Sequence, residues 1–162
     1  MSLAEEVFVM DALELKVPPP VLALCLALLM WFTSLLVPSV VVPFGVRLGV
    51  ALALVVIGQS IGISGMASFR RVKTTINPVK PSAASSLVTS GVYRVTRNPM
   101  YLGLLVTLVA WAVFLSNLVA LLAAPLFVLY INRFQINPEE RVLSSLFGAE
   151  YAAYKEKVRR WL

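Results

Sequence analysis

Two short segments carry the residue types that could do chemistry. In Arg97-Asn98-Pro99-Met100-Tyr101-Leu102-Gly103 a basic stretch runs straight into an apolar one; in Asn137-Pro138-Glu139-Glu140-Arg141 paired carboxylates open a polar tail. Each holds Asn followed by Pro, a pair that favours a helix start through a capping side chain and a pre-set first φ. The positive end of such a helix, with arginines beside it, suits an anionic group held against backbone N–H donors. The carboxylates suit a cation or hydroxyl groups and can accept a proton. The chain has no histidine, so any acid–base step falls to Glu, Asp, Tyr, Lys or water. A single cysteine, Cys25, excludes an internal disulfide and a zinc site of the Cys/His kind, and no metal is expected.

The chain that must position these segments is very apolar. Hydrophobic residues make up 59% and charged residues 14% of the 162 positions, where a soluble domain is roughly half apolar and about a quarter charged. The mean hydropathy is +0.86. Burial is therefore a matter of lipid packing, and long unbroken apolar runs select helices over a barrel, whose strands would alternate. The expected fold class is all-α: a single integral membrane domain of about four transmembrane helices, the last two a tight hairpin, followed by cytoplasmic C-terminal helices.

Residues 1–17 are read as an N-terminal segment whose Leu3, Val7, Met10 and Leu13 fall near helical spacing for a short surface helix. Residues 18–66 hold two spans, Val21–Val37 after the Pro18-Pro19-Pro20 entry and Phe44–Met66 after Pro43. The spacing of Gly58, Gly62 and Gly65 in the second reads as close helix packing. Residues 67–98 form a loop bearing Arg70, Arg71, Lys73, Lys80, Arg94 and Arg97 and no acid. Residues 99–134 are the hairpin. Its uncharged stretch Tyr101–Ile131 exceeds the roughly 20 residues of one span, breaks at Ser116-Asn117 and is expected to kink at Pro125. In residues 135–162, Val142, Leu143, Leu146 and Phe147 form an apolar stripe ending at Gly148. Tyr151, Tyr154, Val158 and Trp161 then follow at helical spacing against the membrane interface.

With four spans, the N-terminus, the loop and the tail share one side. Every basic residue of the 14 except Arg47 falls there, which makes that side cytoplasmic, with the candidate site and both termini on the inner face of a bacterial inner membrane. The same placement accounts for the net charge of +6 through topology and anionic headgroups. Nucleic acid is not implied, since no binding motif accompanies the charge.

The two Asn-Pro segments flank the hairpin and return to one face, so arginines and carboxylates meet there in a mixed-charge pocket with apolar walls. Such a pocket suits a zwitterionic cofactor such as S-adenosylmethionine, whose carboxylate matches arginines and whose ammonium and ribose match glutamates; other amphipathic metabolites fit the same description. The stretch Gly91-Val92-Tyr93-Arg94-Val95-Thr96-Arg97-Asn98-Pro99-Met100-Tyr101-Leu102-Gly103 resembles the signature of membrane isoprenylcysteine carboxyl methyltransferases and phospholipid methyltransferases. Glu139-Glu140 and Leu146-Phe147-Gly148-Ala149-Glu150-Tyr151-Ala152-Ala153-Tyr154 extend the resemblance, and Lys73-Thr74-Thr75-Ile76-Asn77-Pro78 and Leu87-Val88-Thr89-Ser90-Gly91 look like bacterial members. It covers about residues 65–162. The resemblance implies S-adenosylmethionine held by Arg94, Arg97, Asn98, Pro99, Tyr101, Gly103, Glu139 and Glu140; Tyr93, in the same signature, is expected to join them, and Arg97 and Glu140 are the expected catalytic residues. Prenylcysteine enzymes usually have His where this chain has Asn98. The Asn-Pro-Met-Tyr form looks closer to phosphatidylethanolamine methyltransferases, whereas the Phe-Gly-x-x-Tyr-x-x-Tyr tail looks like the prenylcysteine branch.

The expected reaction is displacement of a sulfonium methyl by a lipid or prenylated small-molecule substrate at the membrane. A carboxylate acceptor needs no base, whereas an amine does, for which Glu140 is the candidate. A membrane reductase of the steroid-reductase type using NADPH is an alternative through similar C-terminal helices. A four-helix transporter or packing protein is another, although the spans offer only Arg47 as an intramembrane charge, near an end.

Overall fold

In a computed structural model of the chain, residues 14–72 and 86–162 are described. The expected N-terminal surface helix, the bases Lys73 and Lys80 and the Lys73–Pro78 stretch lie outside them. The described residues are helical, with no strand among them. Five helices follow in order: α1 Pro19–Leu36, α2 Phe44–Val72, α3 Pro99–Leu115, α4 Ala123–Ile131 and α5 Asn137–Lys157. A 3-10 turn, Gly91–Arg94, precedes α3; another, Ala120–Leu122, leads into α4; a π-helical turn, Asn132–Ile136, joins α4 to α5.

The helices run up and down around α3, which packs against α1, α2 and α4. At one end the Leu15 N–H donates to the Phe134 carbonyl at 2.9 Å; at the other the Val40 N–H donates to the Ser116 carbonyl at 2.7 Å. The hairpin break falls where the sequence puts it. Ser116 takes the left-handed conformation (φ 51°) that ends α3. The Asn117 side chain accepts the Ala120 N–H at 2.9 Å and donates to the Val37 carbonyl at 3.0 Å, pinning the turn to the α1–α2 link.

A core built from Met30, Tyr101, Leu108, Phe127, Ile131 and Ile136 runs along α3 and α4. Outside it, α1 exposes Leu24, Leu28, Leu29, Phe32 and Leu35, and α2 exposes Val50, Leu52, Val56, Ile57 and Ile63. An apolar surface of that extent marks contact with lipid. The 18-residue α1 and the 29-residue α2 are long and apolar enough to cross a membrane, while α3 is a shorter apolar helix of 17 residues. Helix α4 has only nine.

Glycine sets the closest approach in the bundle. A Cβ placed on Gly103 would lie 2.5 Å from the Gly58 carbonyl oxygen and 3.1 Å from the Gly62 backbone nitrogen. Gly58 and Gly62 thus straddle Gly103, and the expected packing role of the Gly-x-x-x-Gly spacing is what the crossing shows. Gln59 Nε2 donates to Thr107 Oγ1 at 3.2 Å, and Thr107 Oγ1 donates to the Gly103 carbonyl at 2.8 Å, one α3 turn beyond the crossing.

The structure corrects several sequence expectations. Helix α2 continues past Met66 to Val72, so Arg70 and Arg71 belong to its last turn, where cations complement the helix dipole, and not to a loop opening at Ala67. Pro125 is the third residue of α4, in a first turn whose N–H groups lack α-helical partners, so it lies at the start of that helix and not in its interior. The helical stripe expected through Trp161 stops at Lys157, after which Val158 is extended (φ −126°, ψ 130°). Gly148, at φ 45° and ψ −118°, breaks α5 internally in a conformation that favours glycine. The bend lets Tyr151, Tyr154 and Val158 pack with Leu87, Leu143 and Phe147 rather than face the membrane interface.

Gly103→Ala is expected to destabilise the protein by about 1–3 kcal/mol, because its new methyl meets backbone that cannot swing away. Gly49→Ala, with nothing within 4 Å of its Cβ, is expected to leave stability unchanged or slightly raised. Thermal unfolding of both variants in one detergent checks the contrast.

Candidate functional site

The site begins with a proline that removes a donor. Pro138 has no N–H to offer the Phe134 carbonyl four residues back, and its ring would crowd that carbonyl in a regular helix. The chain answers with the π-helical turn Asn132–Ile136, and the freed Phe134 carbonyl accepts the Leu15 N–H. Asn137 is therefore inside a continuous helical path and does not cap a free helix end, as the sequence suggested. The turn sets Glu139 and Glu140 against the start of α3. Nearby, Glu14 pairs with Arg133 at 2.9 Å and with Arg141.

Arg97 is the centre of the site. Its Nη2 donates to Glu140 Oε1 at 2.8 Å, and its Nη1 donates to the carbonyls of Val158 at 2.8 Å and Lys155 at 3.2 Å. Arg160 reaches Glu140 from the other side, with Nη2 to Oε2 at 2.7 Å and Nε to Oε1 at 3.2 Å. The tail after α5 runs extended across the start of α3. The Arg97 N–H donates to the Arg159 carbonyl at 3.0 Å. Asn98 Nδ2 and Thr96 Oγ1 donate to the Arg160 carbonyl at 2.9 Å and 3.2 Å. Asn98 spends its side chain on the tail and makes no cap on α3. The expected Asn cap is absent, and Pro99 alone shapes the helix start. Arg97 Nε is buried without a hydrogen-bond partner.

The neighbouring carboxylate is in a different state. Tyr101 OH donates to Glu139 Oε1 at 2.5 Å, and Gln135 Nε2 donates to the same oxygen at 2.9 Å. No cation pairs with Glu139 among the described residues, and burial pushes its pKa up to about 7 against the lowering effect of those two hydrogen bonds. For Glu140, burial works upward too, but the hydrogen bonds and charges of Arg160 and Arg97 outweigh it and lower the pKa. Two adjacent carboxylates are thus driven apart: one ionised and paired, one able to hold a proton near neutrality.

The remaining residues singled out by sequence fall around this centre. Tyr93 is buried behind it, its carbonyl accepting the Tyr154 hydroxyl at 2.7 Å and its ring edge-on to Phe69 at 5.4 Å. Burial pushes both phenols up, Tyr154 to about 12. Arg94 is exposed at the end of its 3-10 turn and pairs with no described carboxylate. Pro99 packs where a Cβ on Gly65 would sit, 3.0 Å away, and Gly103 lies in the helix crossing rather than on the polar wall. The sequence reading missed Arg160 and Gln135. Gln135 stands four residues before Glu139, a helical spacing visible in the sequence. Arg160 lies beyond the helix end, where no periodicity announces it.

Fold and site together define an all-helical membrane protein with a mixed-charge cluster at one end of its helices. The chain belongs to the phospholipid methyltransferase family, whose profile matches residues 46–150. It is 56% identical over 63 residues to an uncharacterized protein of Haemophilus influenzae, covering 39% of this chain and 100% of that one. It is 34% identical over 116 residues, 70% of its length, to a probable protein-S-isoprenylcysteine O-methyltransferase of Oryza sativa subsp. indica. It is 32% identical over 107 residues, 66% of its length, to protein-S-isoprenylcysteine O-methyltransferase A of Arabidopsis thaliana. The aligned segments make up 59% and 54% of those two plant proteins. No solved structure matches the chain.

Because Glu139 binds its proton more tightly folded than unfolded, it contributes stability that is full below pH 4.5 and lost as pH rises through about 7. Glu139→Gln is expected to gain stability relative to the parent across that window, by up to about 3 kcal/mol at its upper end. Melting temperatures of the two proteins in detergent between pH 4.5 and 8 check the sign.

Proposed function

We propose that the protein is an S-adenosylmethionine-dependent methyltransferase that crosses the membrane four times and methylates a lipid-borne or prenylated small acceptor at the cytoplasmic face. The observation that carries this reading is the meeting of Arg97, Arg160, Glu139 and Glu140 at the start of an apolar helix, within a chain of this family. Four spans are supported by the helical path from Ala120 to Ile136, about 25 Å long at its helical rise, against a hydrocarbon core of about 30 Å. The basic residues gathered at the site end support a cytoplasmic orientation.

The donor set fits the cofactor by charge. A buried carboxylate without a described cation, Glu139, would gain from an ammonium or sulfonium. Arg94, with Tyr93 in the same turn, and the unpartnered Arg97 Nε would gain from a carboxylate. Asn98 and Tyr101 would complete the polar wall, while Pro99 and Gly103 hold α3 in place against α2. When bound, S-adenosylmethionine supplies a methyl group already activated on a sulfonium, so the protein's part is proximity and alignment.

Arg97 and Arg160 keep Glu140 ionised and occupied, which makes it a positioning residue. The base role expected of Glu140 passes to Glu139, whose proton affinity suits taking a proton from an amine acceptor. A carboxylate acceptor, which fits the O-methyltransferase names of the plant relatives, needs no base, and the partly exposed Arg160 can orient it.

Purified protein in nanodiscs, given labelled S-adenosylmethionine and a membrane lipid extract, is expected to transfer label to a lipid-soluble product. Arg97→Ala and Glu140→Gln should each cut turnover by about 100-fold. Glu139→Gln should slow an amine acceptor and spare a carboxylate one. Absence of both label transfer and cofactor binding by calorimetry, or preferential binding of NADPH, would overturn the assignment.

A further inference from the structure

The end of the bundle opposite the Arg97 site holds a cation that methyl transfer does not use. Arg47 lies in the first turn of α2 and is the only basic residue between Lys16 and Arg70. Its guanidinium carbon sits 5.3 Å from the Phe44 ring centroid and 5.8 Å from that of Phe114. Its Nε is buried and has no hydrogen-bond partner. Among the described residues no carboxylate pairs with it, and the sequence has no acid between Glu14 and Glu139. Beside it opens a cavity of about 310 Å³ whose walls include Val42, Val46, Val50, Val113 and Leu118. The walls are fixed, because the Val40–Ser116 and Asn117–Val37 hydrogen bonds tie the α1–α2 link to the hairpin turn.

A guanidinium at the edge of an apolar cavity with an unmet N–H is costly. The two aromatic rings offset part of that cost through their faces, yet a ring face does not replace an oxygen acceptor in the guanidinium plane. The first turn of α2 adds a positive helix end at the same place. What fits is an anion joined to an apolar chain. A small soluble anion would meet the charge and leave the valine-lined cavity unfilled. A zwitterionic headgroup would bring an ammonium to a surface with no described carboxylate to receive it.

We propose that Arg47 and the adjoining cavity form a binding site for an anionic phospholipid of the leaflet opposite the Arg97 site, with the phosphate on the guanidinium and one acyl chain between α2 and the end of α3. The site does not depend on the methyltransferase reading.

The test uses the full chain, delipidated in detergent and titrated with phosphatidylglycerol, phosphatidylcholine or glycerol 3-phosphate, with bound lipids counted by native mass spectrometry. The parent should retain one more phosphatidylglycerol than Arg47→Gln does, and the affinity of that site should fall about tenfold in the variant. Arg47→Lys should keep most of the binding. Val113→Trp, which fills the cavity and leaves the charge, should weaken it and covers the case in which Arg47→Gln fails to fold. Equal retention by parent and Arg47→Gln, equal affinity of that site for phosphatidylcholine, or displacement by equimolar glycerol 3-phosphate would overturn the proposal.

Discussion

One guanidinium holds the site end of this molecule together. Arg97 joins the turn before α3 to the start of α5 through Glu140, and to the end of α5 and the extended tail through the carbonyls of Lys155 and Val158. The pair is half-buried, with side-chain exposures of 12% and 16%, where an ion pair is worth having only if its remaining hydrogen-bonding capacity is met. Arg160 and two backbone carbonyls meet all of it but the Arg97 Nε–H, which stays buried and unpartnered. Without the pair, Glu140 has no reason to stay charged beside Glu139, and the tail keeps only the bonds that the Arg97 N–H, Thr96 and Asn98 make to the Arg159 and Arg160 carbonyls.

The lower half of the bundle depends on this node through α3. The same helix that begins with Pro99 against Gly65 carries Gly103 into the gap between Gly58 and Gly62. The polar end and the lipid-packed crossing are thus consecutive turns of one rigid element. A shift at the crossing would move Tyr101, which lies between Pro99 and Gly103 and holds Glu139 by its hydroxyl. That continuity is how a packing residue can matter to a site it does not touch.

Much of this was legible in the sequence because membrane physics is strict. Unbroken apolar runs, the Ser116-Asn117 break and the Gly-x-x-x-Gly spacing each have few alternative readings, and the motif residues Arg97, Tyr101, Glu139 and Glu140 do converge. What escaped were features decided by tertiary partners. Asn98 reads as a cap by local propensity, but the Arg160 carbonyl claims its amide. Asn137-Pro138 reads as a helix start, but a π-helical turn carries the helix through it. Arg160 reads as one more surface base until the tail brings it back to Glu140. Each error has the same source: a residue whose partner lies far away in sequence.

The carbonyl freed at Phe134 has a consequence for who pairs with whom. By accepting the Leu15 N–H it fixes the register at which the chain enters the bundle, and that register delivers Glu14 to Arg133 and Arg141. Arg141 adjoins Glu140 in the sequence, and Arg133 lies earlier on the same helical path. With them taken, Glu140 is left to Arg97 and Arg160, and Glu139 is left to Tyr101 and Gln135. A hydrogen atom that proline lacks thereby sorts the charges of the whole site, as a seating plan sorts guests by fixing the first chair.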